Sequence, residues 1–147
     1  MKRFNLRCYA VIINDNDELL LSDEFRNGHA FTKFVGGGLE WGEGTKDCLQ
    51  REIKEEMGIN TVIGKHYFVN DFFQQSAFNP NDQLISFYYK IEVIDFKKIT
   101  TENHSIPLTE NGEKFRWRKI SELHPTDVTF PVDKIVIAKI IEEFREN

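Results

Sequence analysis

The chain has 147 residues, of which 40% are hydrophobic and 29% are charged, so it can bury the core of one ordinary domain. The net charge of −5 argues against a nucleic-acid polymer as the main partner, because such binding depends on Lys and Arg neutralising phosphates. Two cysteines are too few for a disulfide framework, and no apolar run approaches the length of a membrane span. We therefore expect a single domain over residues 1–147 in the cytoplasm, with reduced thiols and no membrane partner.

The first third of the chain is predicted to form strands and turns. Residues 4–13 are largely apolar and indicate a strand, residues 14–17 indicate a turn, and residues 18–21 indicate a second strand. Residues 29–35 are predicted to be extended and lead into three consecutive glycines. The first clear helix signal follows over residues 45–57, with Thr45 suited to the N-cap and Gly58 suited to end the helix.

The remainder is predicted to contain further strands before a second long helix over residues 132–145. In chain order we expect one or two strands in 61–73, a turn at 79–82, an alternating strand over 85–93, a polar loop over 95–111, a short strand at 114–117 and one helical turn at 120–123. Strands that outnumber two separated helices indicate an α/β (α+β) fold in which a mixed β-sheet is sandwiched between helices.

Three glutamates share one stripe of the first predicted helix. At 3.6 residues per turn the buried stripe is predicted to consist of Leu49, Ile53 and Met57. The neighbouring stripe carries Glu52, Glu55 and Glu56. These carboxylates therefore border the core and are expected to point into an adjacent groove.

This grouping of like charges is unfavourable for an isolated helix. A pair of like charges four residues apart costs about 0.2–0.5 kcal/mol, and the helix dipole disfavours anions in the C-terminal half. Arg51 supplies only one neighbouring positive charge. Carboxylate oxygens are hard ligands that suit Mg²⁺, with Mn²⁺ as the alternative, so a divalent metal site is predicted; a solvated acidic face is the other interpretation.

The segment between the glycines and the end of the helix resembles a known family motif. Glu43 follows Gly37 after five intervening residues. Seven further residues separate Glu43 from the sequence REIKEEMGI, which spans residues 51–59. This resembles the Nudix box, G-x5-E-x7-R-E-U-x-E-E-x-G-U with U apolar, at every defined position. The resemblance implies a Nudix hydrolase, with a mixed sheet sandwiched between helices, that splits a diphosphate linkage in a nucleoside diphosphate joined to another group.

The resemblance also implies roles for the residues of the box. Glu52, Glu55 and Glu56 would hold one or more Mg²⁺ ions with help from the Gly37 carbonyl, and Glu55 or Glu56 is the implied acceptor of a proton from water. Glu43 and Arg51 are expected to form a structural ion pair, because Arg suits a fixed pair with a carboxylate; a direct part in catalysis is the alternative.

Residues outside the box are implied less directly. A further acidic residue often comes from the loop before a late strand, here Glu110 or Glu113. Residues 130–139 resemble the last loop and helix start of the MutT-like branch, where a polar residue near the helix start reads an oxidised purine, and Asp133 falls near that place. Phe130 is one of several aromatic candidates for stacking on a base, because an aromatic face accepts any base. Each of these residues also has an ordinary structural interpretation. Glu110 and Glu113 would be solvated loop residues, Asp133 would be a favourable residue at a helix start, and Phe130 would be an aromatic residue of the core.

The leading hypothesis is a Mg²⁺-dependent hydrolase whose small nucleotide substrate is most simply a nucleoside triphosphate. ADP-ribose or a nucleotide sugar is the alternative substrate. A non-catalytic nucleotide-sensing domain is the second class, although the box retains all its carboxylates. An RNA 5′-end pyrophosphohydrolase is disfavoured by the acidic charge balance. Family members are often dimers, so the resemblance also allows a homodimer.

Overall fold

The computed structural model describes residues Met1–Asn147 and confirms the predicted α+β class. Seven strands and two α-helices follow the order β1 (Arg3–Val11), β2 (Glu18–Arg26), β3 (His29–Lys33), β4 (Val35–Gly38), α1 (Thr45–Met57), β5 (Val62–Val69), β6 (Asp82–Val93), β7 (Gly112–Lys119) and α2 (Pro131–Arg145). The strands form two sheets rather than the single sheet expected. The chain divides into two compact units, one formed by Met1–Val11 and Val35–Ile99 and the other by Ile12–Phe34 and Thr100–Asn147.

The first unit contains a four-stranded mixed sheet in the order β4-β1-β6-β5. Strands β1 and β6 run parallel, whereas the other neighbours are antiparallel. Helix α1 packs against β1, β4 and β5. It does so through Leu49 and Ile53, which are fully buried as the helical spacing predicted, while Met57 is only half-buried.

Helix α1 has the predicted bounds, but its N-cap is Gly44 and not Thr45. The Asp47 carboxylate accepts the Gly44 backbone N–H at 2.9 Å, which places the N-cap one residue earlier than expected while the first helical residue is still Thr45. The Thr45 hydroxyl instead forms a 2.6 Å hydrogen bond with the Tyr89 hydroxyl, so it does not cap the helix. At the other end Gly58 is left-handed, with φ 72°, and donates its N–H to Lys54, as the terminal glycine predicted.

The second unit contains a three-stranded antiparallel sheet in the order β3-β2-β7, followed by α2. Strand β2 continues to Arg26, five residues beyond the predicted end, because its polar residues 22–24 are paired within the sheet. Helix α2 starts with Pro131, a residue whose fixed φ suits a first turn, and buries Val136, Ile137 and Ile140. Neither α1 nor α2 is long and apolar enough to cross a membrane.

Candidate functional site

The site predicted in the first unit begins at the glycines of β4. Strand β4 pairs with β1 so that Gly37 lies opposite Cys8 and Gly38 lies opposite Arg7. A Cβ on Gly36 would overlap the Cys8 carbonyl oxygen, and Gly36 has a φ of 150°. Only glycine therefore fits at position 36 without displacing the backbone of β1.

Glu52 lies in the space left by the missing side chain of Gly37. A Cβ at position 37 would be 2.5 Å from the carboxylate carbon and from Oε1 of Glu52. The Glu52 side chain is only 15% exposed. The glycine thus allows a carboxylate of α1 to lie directly against the backbone of β4.

Arg51 is the cation around which the acidic residues of the box are arranged. Its Nη2 lies 2.8 Å from Glu43, and its Nη1 lies 3.0 Å from Glu52 and 3.3 Å from Glu55. Glu40 is a fourth carboxylate at 3.7 Å. One guanidinium therefore faces four carboxylates, and the surroundings carry an excess of negative charge.

The Glu43–Arg51 pair joins the loop before α1 to the helix. Arg51 donates to both oxygens of Glu43, with Nε at 3.0 Å and Nη2 at 2.8 Å. Its Nη2 also donates to the Gly38 carbonyl at 3.0 Å, which ties α1 to the end of β4. The hydrogen bonds from Arg51 lower the pKa of Glu43 to about 2, and those same bonds raise the pKa of Arg51. A bidentate ion pair of this kind fixes the relative position of the two side chains more firmly than a single hydrogen bond.

The three glutamates predicted to bind metal occupy different environments. Glu52 is mostly buried against Gly37, Glu56 is half-buried, and the Glu55 side chain is 59% exposed. As placed, no three His, Cys, Asp or Glu side chains converge into a group that could hold a metal ion. The oxygen atoms of the three carboxylates nevertheless suit Mg²⁺, which prefers hard donors. Glu52 is held in the space beside Gly37, and the exposed Glu55 side chain has room to rotate. Metal binding by these residues stays a prediction.

The predicted substrate residues Phe130 and Asp133 lie at the start of α2, in the second unit. Phe130 is the N-cap residue and its ring centroid lies 5.4 Å from that of Phe31, so an aromatic pair is present there. Asp133 is in the first helical turn and is 2% exposed. Base reading by either residue stays a prediction.

Glu110 and Glu113 were both predicted to lie in the loop before β7. Glu110 is an exposed loop residue as predicted, but Glu113 belongs to β7, where it is half-buried. The Ser22 hydroxyl lies within hydrogen-bond distance of both Glu113, at 3.1 Å, and Glu24, at 3.0 Å. The Lys33 ammonium pairs with Glu24 at 2.9 Å. We call Ser22, Glu24, Lys33 and Glu113 the β2 polar cluster.

The two carboxyls of the β2 polar cluster differ in acidity. Burial, followed by the negative charge of Glu24, raises the pKa of Glu113 to about 7. Burial also opposes ionisation of Glu24, but the charge and hydrogen bond of Lys33 hold the pKa of Glu24 below its usual value. Glu113 can therefore exchange a proton near neutral pH, and of the two candidates it is the one whose environment is unusual.

A second buried carboxylate in β2 was not anticipated. Asp23 is 1% exposed and lies 2.6 Å from the Thr32 hydroxyl, 2.7 Å from His104 Nε2 and 2.7 Å from Arg116 Nε. Although burial opposes ionisation, hydrogen bonds led by those from Arg116, Thr32 and His104 keep the pKa of Asp23 below its usual value. These contacts join β2 to β3, to β7 and to the loop before β7.

The sequence contained one signal for these buried charges. Residues 22–24 (SDE) follow the apolar run 19–21 without any glycine, proline or asparagine that would end a strand. Polar residues that continue a strand in this way indicate buried partners. The partners themselves lie up to 93 positions away, for Asp23 and Arg116, so no local pattern identifies them.

Comparison with known proteins identifies the family to which this sequence belongs. The family model described as the NUDIX domain matches residues 4–139. The chain is 24% identical over 142 residues to 8-oxo-dGTP diphosphatase of Escherichia coli K12, covering 95% of this chain and 98% of that protein. It is 25% identical over 136 residues to the NAD-capped RNA hydrolase NudC of Vibrio parahaemolyticus, covering 92% of this chain. The chain spans about half the length of two of the curated relatives it matches, 47% in the case of NudC.

Solved structures give the same result for the fold. A chain from a study of MutT from Aliivibrio salmonicida and Vibrio cholerae superposes with a TM-score of 0.68 at 21% identity, covering 96% of this chain and 99% of that one. At this identity the likeness concerns the fold alone. The family model, in contrast, matches across nearly the whole sequence and includes every position of the box. The chain belongs to the NUDIX domain family.

Proposed function

We propose that the chain is a Mg²⁺-dependent pyrophosphohydrolase that cleaves the diphosphate linkage of a nucleoside diphosphate joined to another group. The observation that carries this proposal is the Glu52 carboxylate held against Gly37, beside a single Arg51 that faces four carboxylates. Four carboxylates around one guanidinium leave an excess of three negative charges, of which one divalent cation would neutralise two. Family membership supports the same reaction class.

The residues that would hold the metal are Glu52, Glu55 and Glu56, with the Gly37 carbonyl as a further oxygen donor. Bound Mg²⁺ supplies charge neutralisation on the phosphate oxygens and a lowered pKa for a water molecule. This recruitment of positive charge also explains how a protein of net charge −5 can take a polyanionic substrate. Mn²⁺ is the expected substitute, because it shares the preference for oxygen ligands.

The protein's own side chains orient the reaction and move the proton. The fork between Glu43 and Arg51 fixes α1 relative to the end of β4, so the carboxylates keep their positions during turnover. Glu55 or Glu56 accepts the proton of the attacking water. Phosphoryl transfer involves little covalent chemistry with the protein, so catalysis rests mainly on position and electrostatics.

The substrate we propose first is a nucleoside triphosphate. The relative named 8-oxo-dGTP diphosphatase supports it, because this chain spans 98% of that protein. In this proposal Asp133 contacts the base, as the resemblance to the MutT-like branch implied, and Phe130 stacks on it, because an aromatic face accepts any base. We also propose that the whole chain acts as one domain on small nucleotides in the cytoplasm, and that a homodimer is its assembled form.

The test is turnover of a substrate panel with Mg²⁺. The panel contains nucleoside triphosphates, oxidised deoxynucleoside triphosphates, ADP-ribose, a nucleotide sugar, dinucleoside polyphosphates and capped RNA. We expect cleavage of a triphosphate, loss of turnover in excess chelator, and loss in Glu56→Gln. Glu142→Gln, which removes an exposed carboxylate of α2, is the matched control and should keep full activity.

Other outcomes have distinct meanings. Preferential cleavage of ADP-ribose or a nucleotide sugar would support the proposed reaction class but show that the substrate is not a nucleoside triphosphate. Cleavage of capped RNA alone would favour an RNA-end hydrolase. Full activity of Glu56→Gln, or turnover in chelator, would overturn the metal assignment. Binding of a nucleotide without cleavage of any panel member would establish the sensing alternative.

A further inference from the structure

Two arginines lie at Gly38, the last residue of β4. The Gly38 carbonyl oxygen accepts a hydrogen bond from Arg51 Nη2 at 3.0 Å. A Cβ on Gly38 would lie 3.4 Å from Nη1 of Arg7, so this second guanidinium lies beside the same glycine. Arg51 belongs to α1, whereas Arg7 belongs to β1. The end of the glycine strand therefore has a cation from each of the two elements that pack on it.

Strand pairing brings Arg7 to this position. Arg7 is directly opposite Gly38 in the β1–β4 register. The next pair along the ladder is hydrogen-bonded, because the Leu39 N–H donates to the Leu6 carbonyl at 2.9 Å. Hydrogen-bonded and non-hydrogen-bonded pairs alternate, so Arg7 and Gly38 form a non-hydrogen-bonded pair, whose Cα atoms are about 4.5 Å apart. Since position 38 has no side chain, the Arg7 side chain can lie directly over the strand.

Tyr9 holds the Arg7 side chain in place. Arg7 Nε donates to the Tyr9 hydroxyl at 3.1 Å, and the guanidinium carbon lies 5.8 Å from the centroid of the Tyr9 ring. Tyr9 is itself 7% exposed, with its ring centroid 5.2 Å from that of Tyr88. Arg7 is only half-buried, so a solute can reach it. A cation fixed by a buried ring loses little further freedom when it binds a ligand.

We propose that Arg7 donates hydrogen bonds to a phosphate oxygen of the substrate's diphosphate group and so positions that group beside the metal site. This inference rests on the proposed function. Glu52, a proposed metal ligand, lies against Gly37, and Arg7 lies beside Gly38. Consecutive positions of a strand point to opposite faces, so the two groups lie on either side of β4. Because β4 is the edge strand of its sheet, a ligand at its outer edge can contact both.

The two arginines have different tasks. Arg51 faces four carboxylates and donates to the Gly38 carbonyl, so it braces α1. Arg7 Nε donates to a neutral phenol, and a phosphate oxygen is a stronger acceptor because hydrogen bonds between ionised groups are shorter and stronger. A guanidinium also presents parallel N–H donors that match two phosphate oxygens. A contact of this kind that persists through the reaction lowers KM and leaves kcat nearly unchanged.

The binding test uses methylenediphosphonate, a diphosphate analogue that cannot be hydrolysed. Its affinity in the presence of Mg²⁺ is measured by isothermal titration calorimetry for wild type, Arg7→Met and Arg7→Lys. We expect about 10–100-fold weaker binding in Arg7→Met, the usual range for loss of a hydrogen bond to a charged group. Arg7→Lys keeps the charge but not the parallel donors, so its affinity should lie between the other two. This milder variant also carries the test if Arg7→Met does not fold.

Lys65→Met is the matched control. Lys65 is exposed on β5, at the opposite edge of the same sheet, so this variant loses the same positive charge away from Gly38. Its affinity for methylenediphosphonate should equal that of wild type. Two further measurements separate substrate binding from a structural role. The Mn²⁺ affinity of Arg7→Met, measured by the electron paramagnetic resonance signal of free Mn²⁺, should not fall. With the panel substrate that wild type cleaves, KM should rise about 10–100-fold while kcat stays within about threefold.

Three results would contradict the inference. Equal affinity of wild type and Arg7→Met for methylenediphosphonate, in a protein that turns over its substrate, would overturn the role of Arg7 and leave the proposed function standing. A loss of Mn²⁺ affinity or of kcat as large as the rise in KM would show that Arg7 only maintains the structure of the site. Absence of both methylenediphosphonate binding and turnover in wild type would overturn the inference together with the proposed function.

Discussion

The three consecutive glycines of β4 differ in what an added side chain would meet. At position 36 a side chain would meet the backbone of β1, whereas at position 37 it would meet only the end of the Glu52 side chain. At position 38 the nearest atom to a new Cβ is Arg7 Nη1, at the ordinary contact distance of 3.4 Å. The family motif defines only Gly37, and the structure shows that this residue makes room for a carboxylate.

Gly37→Ala should therefore impair catalysis without unfolding the protein. The backbone at this position does not have a positive φ, so alanine is tolerated, but its methyl group displaces the Glu52 carboxylate. We expect kcat/KM to fall about 100-fold, the cost of a small misplacement of a reacting group. The control is Gly38→Ala, which should stay within a few-fold of wild type; equal activity of the two variants would contradict this role of Gly37.

Glu113 should make stability depend on pH in an unusual direction. Its pKa is raised from 4.5 to about 7 by burial and by Glu24, so the folded state holds the proton more tightly than the unfolded state. The stability from this group is fully present below pH 4.5 and is lost as pH rises through about 7. Between these limits Glu113→Gln should gain up to about 3 kcal/mol relative to wild type.

Urea unfolding at about pH 5 and about pH 8 measures this change in the free energy of unfolding. The exposed Glu110 provides the control, because Glu110→Gln should track wild type at both pH values. A constant difference between Glu113→Gln and wild type across this range would show that Glu113 titrates normally.

Helices were more predictable than strands. The bounds of α1 follow from apolar spacing and a terminal glycine, all of which are local, and the structure reproduces them. The end of β2 was predicted too early because residues 22–24 are polar, and their partners lie on other strands. The sequence likewise identifies the glutamates of the box but not the arrangement of Arg51 among them, which depends on side-chain geometry.

The contacts of Asp23 should hold the second sheet together. Asp23→Ala would leave Arg116 and His104 facing a buried position without the carboxylate. Removing one partner of a buried charged pair typically costs 3–5 kcal/mol, and because Arg116 is partly exposed we expect about 3 kcal/mol here. Urea unfolding measures the loss, with the exposed turn residue Asp15→Ala as control. A loss below about 1 kcal/mol would mean that water replaces these contacts.

For the whole molecule, binding of Mg²⁺ should appear as thermal stability. A ligand that binds only the folded state adds about 2.7 kcal/mol when its concentration is a hundred times the dissociation constant. We expect a rise of about 5–10 °C in the unfolding temperature on adding Mg²⁺. Glu52→Gln should abolish most of this rise, and Glu142→Gln should preserve it. The same rise in both variants would place the ion elsewhere.

The parallel pairing of β1 with β6 has a consequence for how the protein is made. Arg3 and Asp82, at the start of that pairing, are 79 positions apart. A ribosome that adds about 5–20 residues per second thus exposes β1 for several seconds before β6 exists. During that interval one hydrogen-bonding edge of the strand has no native neighbour, and nascent chains at this stage are where chaperones are expected to act.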